Sequence, residues 1–328
     1  MKTKYIFSAG EIKRKDNSIA FKNKDGWHYI PVRNIDELYF LNEVSLNSKF
    51  LSLCSKYEIT LHFFGYFGNY IGTFLPKDKS VSGKIILAQA KAYETKREQI
   101  AKNIVLAISQ NINFLLRHYQ KHNKNVSEHI KKNKEFEKFL KKADSINKIL
   151  FIEGQIWANF YESFSKFLPN EFILTKREKR PPKNMINALI SFGNTLLYTK
   201  TLYEIYKTHL NESISFLHST NERRYSLSLD LSESFKPIIV FRTIFKLINK
   251  KILKPQHFEK TLNYTILNNE GKKIFIEEFE KRLKETFIHK TLKKPVSYQY
   301  AIRLDGYKLI KSILYDREFV PFLLKDKK

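Results

Sequence analysis

The feature that most constrains how this chain folds is a pair of acids inside an apolar segment between Phe216 and Pro237. Asp230 and Glu233 lie three residues apart, so a helix would place both on one face. Leucines alternate around them, at Leu227, Leu229 and Leu231. Burying two carboxylates without a cation is unfavourable. The segment therefore predicts either a solvated helix face or a site that holds a cation.

A histidine upstream of these acids extends the second interpretation. His218 stands in a short turn-rich stretch before the apolar segment. One imidazole together with carboxylate oxygens suits manganese or magnesium. Alternatively, His218 is an ordinary loop histidine, and on spacing alone the two interpretations stay open.

A third acid interrupts the apolar stripe of a predicted helix over Ser145–Leu168. The stripe consists of Ile146, Ile149, Leu150, Trp157, Phe160 and Phe164. Glu153 falls four residues after Ile149 and four before Trp157, where an apolar residue would be expected. A carboxylate there needs a partner, which is a metal ion or a buried Lys or Arg. Gly154 beside it is expected to permit a close approach of another segment.

Charge indicates the partner of the protein. The chain has 59 Lys and Arg against 33 Asp and Glu, a net charge of +26. Residues 1–75 hold 10 basic and 7 acidic residues, which leaves +23 for the remainder. An excess of this size favours a polyanion, with nucleic acid first and anionic membrane second. The second part of the chain is expected to contact it.

The pattern predicts an α+β protein with a small N-terminal β-rich domain and a large all-α catalytic domain. The expected bounds are 1–76 for the β-rich domain, 77–84 for a linker and 85–328 for the helical domain. The predicted strands are Lys4–Ser8, Ser18–Lys22, His28–Val32, Glu37–Leu41, Ile59–Phe64 and Tyr70–Leu75. One helix is expected within Ser45–Tyr57.

The second part of the chain reads as a series of helices. They are predicted over Ile85–Arg117, Ser127–Lys142, Ser145–Leu168, from about Asn184, Ile238–Ile248, Gly271–Phe287 and Tyr298–Leu314. Pro237 is expected to kink or restart a helix, and Leu253–Asn268 to be a connection. The polar residues Asn187, Ser191 and Asn194 share one helix face, so they either satisfy one another or line a site.

The remaining signals concern the cellular compartment. A single cysteine, Cys54, excludes an internal disulfide framework and is expected to pack in a core. No apolar run approaches the ~18 residues of a membrane span, and the N-terminus lacks a signal-peptide core. The expectation is a soluble, cytoplasmic protein without membrane contact.

Together, Glu153, the segment RPPKNMINALISFGNTLLY from Arg180 and the segment HSTNERRYSLSLDLSESFKP from His218 resemble the Cas1 family. These are the CRISPR-associated integrases and endonucleases of spacer acquisition. The resemblance extends over nearly the whole chain, to LDGYKL at Leu304–Leu309. The sequence departs from the family pattern mildly, with Lys236 where Arg is frequent, Ser234 where Pro is frequent and Asn194 where Tyr is frequent.

The resemblance implies a site and a reaction. It identifies Glu153, His218 and Glu233 as ligands of Mg²⁺ or Mn²⁺, and Asp230 as a further acid that orients a metal-bound water or acts as a base. The DNA contacts it implies, with the basic segment around Arg180, are Arg180, Lys183, Arg223, Arg224 and Lys236. The implied reaction is phosphoryl transfer that inserts short duplex DNA into a CRISPR array.

The resemblance also implies an assembly. Family members form homodimers through the N-terminal domain, and two dimers are bridged by Cas2. Two other functions stay open on the residues alone. One is a metal-dependent DNA nuclease without integration, and the other is a non-catalytic DNA-binding module whose acids are structural.

Overall fold

The structure is a computed structural model that describes residues 2–76, 82–178, 181–220 and 225–324. The chain divides into two compact units, Met1–Lys79 and Ser80–Lys328. Most of the predicted linker, residues 77–81, lies outside the described residues. Ser82 already caps the first long helix, which begins at Gly83, so the last residues of that predicted linker are helical.

The N-terminal unit contains eight strands and one helix. In chain order they are β1 (Thr3–Ile6), β2 (Gly10–Lys15), β3 (Ser18–Asn23), β4 (Gly26–Pro31), β5 (Glu37–Phe40), β6 (Val44–Leu46), α1 (Ser48–Lys56), β7 (Thr60–Phe64) and β8 (Tyr70–Phe74). They form two four-stranded sheets, ordered β4-β3-β2-β6 and β1-β5-β7-β8. In the second sheet β1, β5 and β7 run parallel and β8 is antiparallel.

One hydrophobic core, drawn from both sheets and from α1, fills this unit. Ile12 and Leu38 come from different sheets, Phe50 comes from α1, and each is fully buried. Cys54 packs in the same cluster, as predicted, and burial raises the pKa of its thiol to about 12. The prediction missed β2, whose sequence GEIKRK carries one apolar side chain, and β6, which has three residues.

The second unit is mainly helical. Its helices are α2 (Gly83–Lys121), α3 (Ser127–Lys142), α4 (Ile146–Glu162), α5 (Met185–Tyr206), α6 (Ser226–Glu233), α7 (Arg242–Asn249), α8 (Asn269–Lys284) and α9 (Tyr298–Tyr315). Side chains of Ser82, Ser145, Asn184, Asn268 and Ser297 accept a hydrogen bond at the start of the helices they precede. Such caps satisfy the unpaired amides of a first helical turn. None of the described helices is both long and apolar enough to cross a membrane.

Two short hairpins correct the expectation of an all-α domain. β9 (Phe258–Lys260) pairs with β10 (Thr265–Leu267), and β11 (Thr286–Ile288) pairs with β12 (Pro295–Ser297). The first lies inside the stretch predicted to be a connection. Three-residue strands carry too short an alternation of apolar and polar residues to be recognised by periodicity.

The segment between α6 and α7 helps to position the candidate active site. Pro237 opens a π-helical turn, Pro237–Phe241, after α6 has ended at Glu233, and this turn leads directly into α7, so helical structure restarts at the proline as expected. Its residues are buried, and a Cβ at Gly193 of α5 would lie 2.7 Å from a Val240 side-chain carbon. Gly193 therefore allows α5 to approach this turn closely. A cluster of aromatic rings on α4, including Phe160, packs on Phe241 from the other side.

Candidate active site

Asp230 and His218 form the first part of the site. The backbone amides of Phe216 and Leu217 donate to Asp230 Oδ2 at 2.6 and 2.9 Å, and that of His218 donates to Oδ1 at 3.0 Å. His218 Nδ1 lies 2.8 Å from the same Oδ1. Asp230 is 1% exposed, and these four contacts stabilise its buried negative charge. They fix the loop that carries His218 and aim the Nε2 atom of its ring away from Asp230.

The Asp230 carboxylate also controls the charge of the imidazole. Burial alone would lower the pKa of His218, but the hydrogen bond and the negative charge of Asp230 outweigh it, and the pKa is raised. An Nδ1–H donated to Asp230 leaves the Nε2 lone pair available as a ligand. Asp230 therefore orients the histidine through contacts that use both of its oxygens.

Glu233 stands one turn further along α6 and faces a different environment. Its carboxylate is 1% exposed. Oε1 accepts a hydrogen bond from Lys236 and lies 4.0 Å from His218 Nε2. Oε2 is buried and has no hydrogen-bond partner among the described residues. Asn111 of α2 donates to the carbonyl of Ser234 at 2.7 Å and fixes the backbone that follows. Glu233 thus keeps one acceptor atom free inside the protein.

Glu153 reaches the same place from α4. Burial and then the charge of Glu233 raise the pKa of Glu153 from 4.5 to about 7, while Lys236 and His218 act in the opposite direction. The Trp157 side chain hydrogen-bonds to it. The three predicted metal ligands, on two helices and a loop, are therefore near enough for their charges to interact. The predicted role of Gly154 is wrong, because it is exposed and a Cβ there would meet nothing within 4 Å.

A layer of polar side chains surrounds these acids. The Arg177 guanidinium donates to Asn187 Oδ1 at 2.9 Å and to Ser191 Oγ at 3.1 Å, and it hydrogen-bonds to Tyr161. Two of the three residues in the predicted polar stripe therefore hold an arginine. The Oδ1 atom of the third, Asn194, is buried without a hydrogen-bond partner in the described part of the chain.

The structure separates the predicted DNA contacts. Lys183 is exposed and lies 3.5 Å from Glu178, as a surface residue would. Lys236 is buried within the acid cluster, with its side chain 9% exposed. Arg180, Arg223 and Arg224 lie outside the described residues. The sequence interpretation did not select Trp157, Tyr161, Arg177 or Tyr198, although the regular polar spacing on α5 and the aromatic residues of α4 were visible.

The donor set fits a divalent metal ion. Among residues 2–76, 82–178, 181–220 and 225–324, no three His, Cys, Asp or Glu side chains form a ready-made metal-binding group. The donors nevertheless match: an oriented imidazole nitrogen, an oxygen of Glu233 that is buried and unpaired among the described residues, and a carboxyl group of Glu153 whose pKa is raised by burial and by the neighbouring Glu233. Two such acids are stabilised by a shared cation.

Comparison with known proteins shows which family this chain is similar to. Residues 4–281 match the model of the family described as CRISPR associated protein Cas1. A CRISPR-associated endonuclease Cas1 of Thermodesulfovibrio yellowstonii is 45% identical over 98% of both chains. A solved Cas1 protein from Thermotoga maritima is 35% identical, with a TM-score of 0.86 over the full length of both chains. A chain of a solved Cas6-RT-Cas1–Cas2 complex, 18% identical, shares the fold with a TM-score of 0.86 over 100% of this chain and 36% of that one.

Proposed function

The chain belongs to the CRISPR-associated Cas1 family, and we propose that it is a metal-dependent DNA integrase and endonuclease that inserts short duplex DNA into a CRISPR array. The observation that carries this proposal is that Glu153, His218 and Glu233 lie near enough for their charges to interact, and that one oxygen of Glu233 is buried and unpaired among the described residues. A non-catalytic DNA-binding module would have no need for such an atom, since buried acceptors are normally satisfied.

Each side chain has a distinct role in the proposed site. Glu153, Glu233 and the Nε2 atom of His218 would hold the metal ion, which is Mg²⁺ or Mn²⁺ given these oxygen and nitrogen donors. When bound, the ion polarises a phosphodiester and lowers the pKa of an attacking hydroxyl or water. Asp230 acts through His218: it fixes the orientation of the ring and, in the neutral imidazole, the Nδ1–H tautomer that leaves the Nε2 lone pair free.

The contacts of Asp230 favour a role in orienting other groups over a role as a base. The two expected roles were a base and an orienting group for metal-bound water. A base must reach the proton that it removes, whereas both oxygens of Asp230 already accept hydrogen bonds from the Phe216–His218 backbone and ring. We place Asp230 among the positioning residues of the site.

The nucleophile decides between the two reactions of the proposal. A 3′-hydroxyl of the short duplex gives strand joining, and water at the same place gives cleavage. Phosphoryl transfer depends mainly on positioning and on charge stabilisation, which the same residues supply for both. Exposed lysines such as Lys183, and Arg180, Arg223 and Arg224 beyond the described residues, would hold DNA phosphates.

The proposed assembly is a homodimer that binds duplex DNA and joins with Cas2. Support comes from the family and from the N-terminal unit, where the edge strand β4 exposes Trp27 and Tyr29. Exposed aromatic residues on a sheet edge are typical of an interface. Inserting both ends of one fragment also requires two active sites, and a two-fold dimer is the default arrangement for a second copy.

The test is strand joining by the purified chain with Cas2, a short duplex and a supercoiled plasmid that carries repeats. Light scattering on the same sample should give a dimer mass. Covalent joining should need Mg²⁺ or Mn²⁺ and should disappear in Glu153→Ala and His218→Ala. Duplex binding by both variants should persist, because phosphates are held by other residues.

Three results would refute parts of this proposal. Cleavage without joining would mean that the protein is a nuclease and not an integrase. Joining by the alanine variants at the wild-type rate would mean that Glu153 and His218 do not form a catalytic metal site. A monomer mass at micromolar concentration, unchanged by DNA, would refute the proposed homodimer.

A further inference from the structure

The environment of Lys236 differs from that of a DNA-contacting surface lysine. Its ammonium group hydrogen-bonds to Glu233 Oε1 and to the Tyr198 side chain. It also lies 5.1 Å from the centroid of the Tyr198 ring and 5.5 Å from that of Trp157. Aromatic rings at this separation stabilise a cation through their electron-rich faces. Lys236 is thus held by its own helix segment, by α4 and by α5.

The charges that face this ammonium group are mainly negative. Glu233 contacts it directly, and Glu153 is close enough to respond to its charge. Trp157 contacts both Glu153 and Lys236, since its side chain hydrogen-bonds to the glutamate while its ring packs beside the ammonium group. The lysine therefore supplies the positive charge that the buried Glu233 and the half-buried Glu153 need. A divalent ion bound to Glu153 and Glu233 would supply the same compensation.

We propose that Lys236 is an internal counter-cation of the metal site, which holds Glu233 in the metal-free protein and releases it when a divalent ion binds. The inference rests on the proposed function, because it assigns the metal to Glu153, His218 and Glu233. It makes Lys236 a positioning residue that lowers metal affinity by competition. It also prevents the two carboxylates from being buried without a counter-charge before metal arrives.

The release of Lys236 reconciles its burial with the predicted DNA contact. An ammonium group freed from Glu233 remains anchored by Tyr198 and Trp157 next to the metal ligands. A phosphate oxygen that enters the site then becomes its partner. Lys236 accordingly pairs with Glu233 in the metal-free protein and with a substrate phosphate once a metal ion is bound.

Metal binding in the absence of DNA tests this inference without relying on activity. Mn²⁺ is titrated into the full chain by calorimetry, with free Mn²⁺ followed by electron paramagnetic resonance. Lys236→Met keeps the length of the side chain and removes its charge. It should tighten Mn²⁺ binding about tenfold, because affinity is reduced by the fraction of molecules in a binding-competent state. Lys236→Arg keeps a cation and should bind Mn²⁺ as the wild type does.

A matched control comes from another lysine–glutamate pair. Lys246 Nζ lies 2.5 Å from Glu278 Oε1, between α7 and α8, and has no part in the site. Lys246→Met should leave Mn²⁺ affinity unchanged. Without metal, the melting temperature of Lys236→Met should fall below that of the wild type, and Mn²⁺ should raise it more than it raises that of the wild type. Should Lys236→Met not be purified, Lys236→Gln replaces it with the same expectations.

The outcomes separate this inference from the proposed function. If the wild type binds Mn²⁺, Glu233→Gln abolishes binding and Lys236→Met fails to tighten it, the inference is wrong and the metal site stands. If the wild type and Glu233→Gln bind Mn²⁺ equally weakly or not at all, both are overturned. A gain of affinity in the methionine variant alone supports competition, since a purely structural lysine would not produce it.

Discussion

Two buried glutamates of the helical unit, Glu204 where α5 meets α9 and Glu233 on α6, are each 1% exposed and each lie beside a basic side chain. Their hydrogen bonds differ. Glu204 Oε1 accepts from Gln299 at 2.7 Å, and Oε2 accepts from Arg303 at 2.7 Å. Glu233 uses only Oε1, and its second oxygen has no partner among the described residues.

This difference separates a structural carboxylate from one that awaits a ligand. Burial and a nearby cation are common to both, so neither distinguishes them. The distinguishing properties are an unpaired acceptor and a second acid, since Glu153 lies beside Glu233. A carboxylate whose oxygens are both satisfied contributes to helix packing, whereas the arrangement around Glu233 is completed only by another cation.

The largest effect is expected from removing the charge of each glutamate in turn. Glu233→Gln should reduce strand joining at least about a hundredfold, because even groups that only orient metal ligands change activity by 10–100-fold. Its stability should stay close to that of the wild type, because the charge of Glu153 remains near Lys236 and the repulsion between the two glutamates is removed. Glu204→Gln should retain joining per folded molecule and lose about 2 kcal/mol of its free energy of unfolding, since the half-buried Arg303 loses its charged acceptor.

Joining assays and urea unfolding of the two variants measure both quantities. The comparison fails if Glu204→Gln is the variant that loses joining, or if Glu233→Gln is the one that unfolds more easily.

Asp230 tests the comparison further. Both of its oxygens accept hydrogen bonds, as those of Glu204 do, but it lies in the candidate site. Asparagine at this position has one oxygen for the three backbone amides and the imidazole that now share two. Asp230→Asn should therefore lower joining and Mn²⁺ affinity about 10–100-fold by misorienting His218. Loss of the carboxylate charge should also lower the pKa of His218.

Proton NMR of the imidazole measures that pKa directly. Unchanged Mn²⁺ affinity together with a lowered pKa would show that Asp230 does not act through the histidine. It would then return to the candidates for a base.

The sequence indicated the proposed metal ligands but not their surroundings. Glu153 stood out because it interrupted an apolar stripe, and this required only helical periodicity. Asp230 and Glu233 were paired through their spacing on one helix face, yet the structure gives them separate partners, the loop before α6 and Lys236. Spacing determines which residues share a face, but not which neighbouring element each side chain meets.

Lys236 illustrates the limit most clearly. A Glu and a Lys three residues apart are ordinarily an exposed ion pair on a helix, and the family resemblance presented the lysine as a DNA contact. Its burial depends on Trp157 from α4 and Tyr198 from α5, which are distant in sequence. The fold class was predictable from periodicity, whereas β2 and the short hairpins were missed because their strands lack apolar alternation.

The smallest effect expected is a pH dependence of stability that arises from Glu153, the acid beside Glu233. The pKa of Glu153 is raised from 4.5 to about 7 in the folded protein, first by burial and then by Glu233. Between these values the unfolded chain releases a proton that the folded protein keeps. Stability therefore falls as pH rises from 4.5 to 7, by at most about 3.5 kcal/mol at about 1.4 kcal/mol per tenfold change in proton affinity.

His218 acts in the same direction over a higher range, since its raised pKa gives stability that is lost as pH increases above 6.5. Glu153→Gln isolates the glutamate: the stability difference between pH 5 and pH 7.5 in metal-free buffer should be smaller in this variant than in the wild type. Mn²⁺ should remove most of that difference by stabilising the ionised form. Thermal melts at both pH values, with and without Mn²⁺, measure it. A wild-type slope equal to that of Glu153→Gln would mean that Glu153 and Glu233 do not share a buried site.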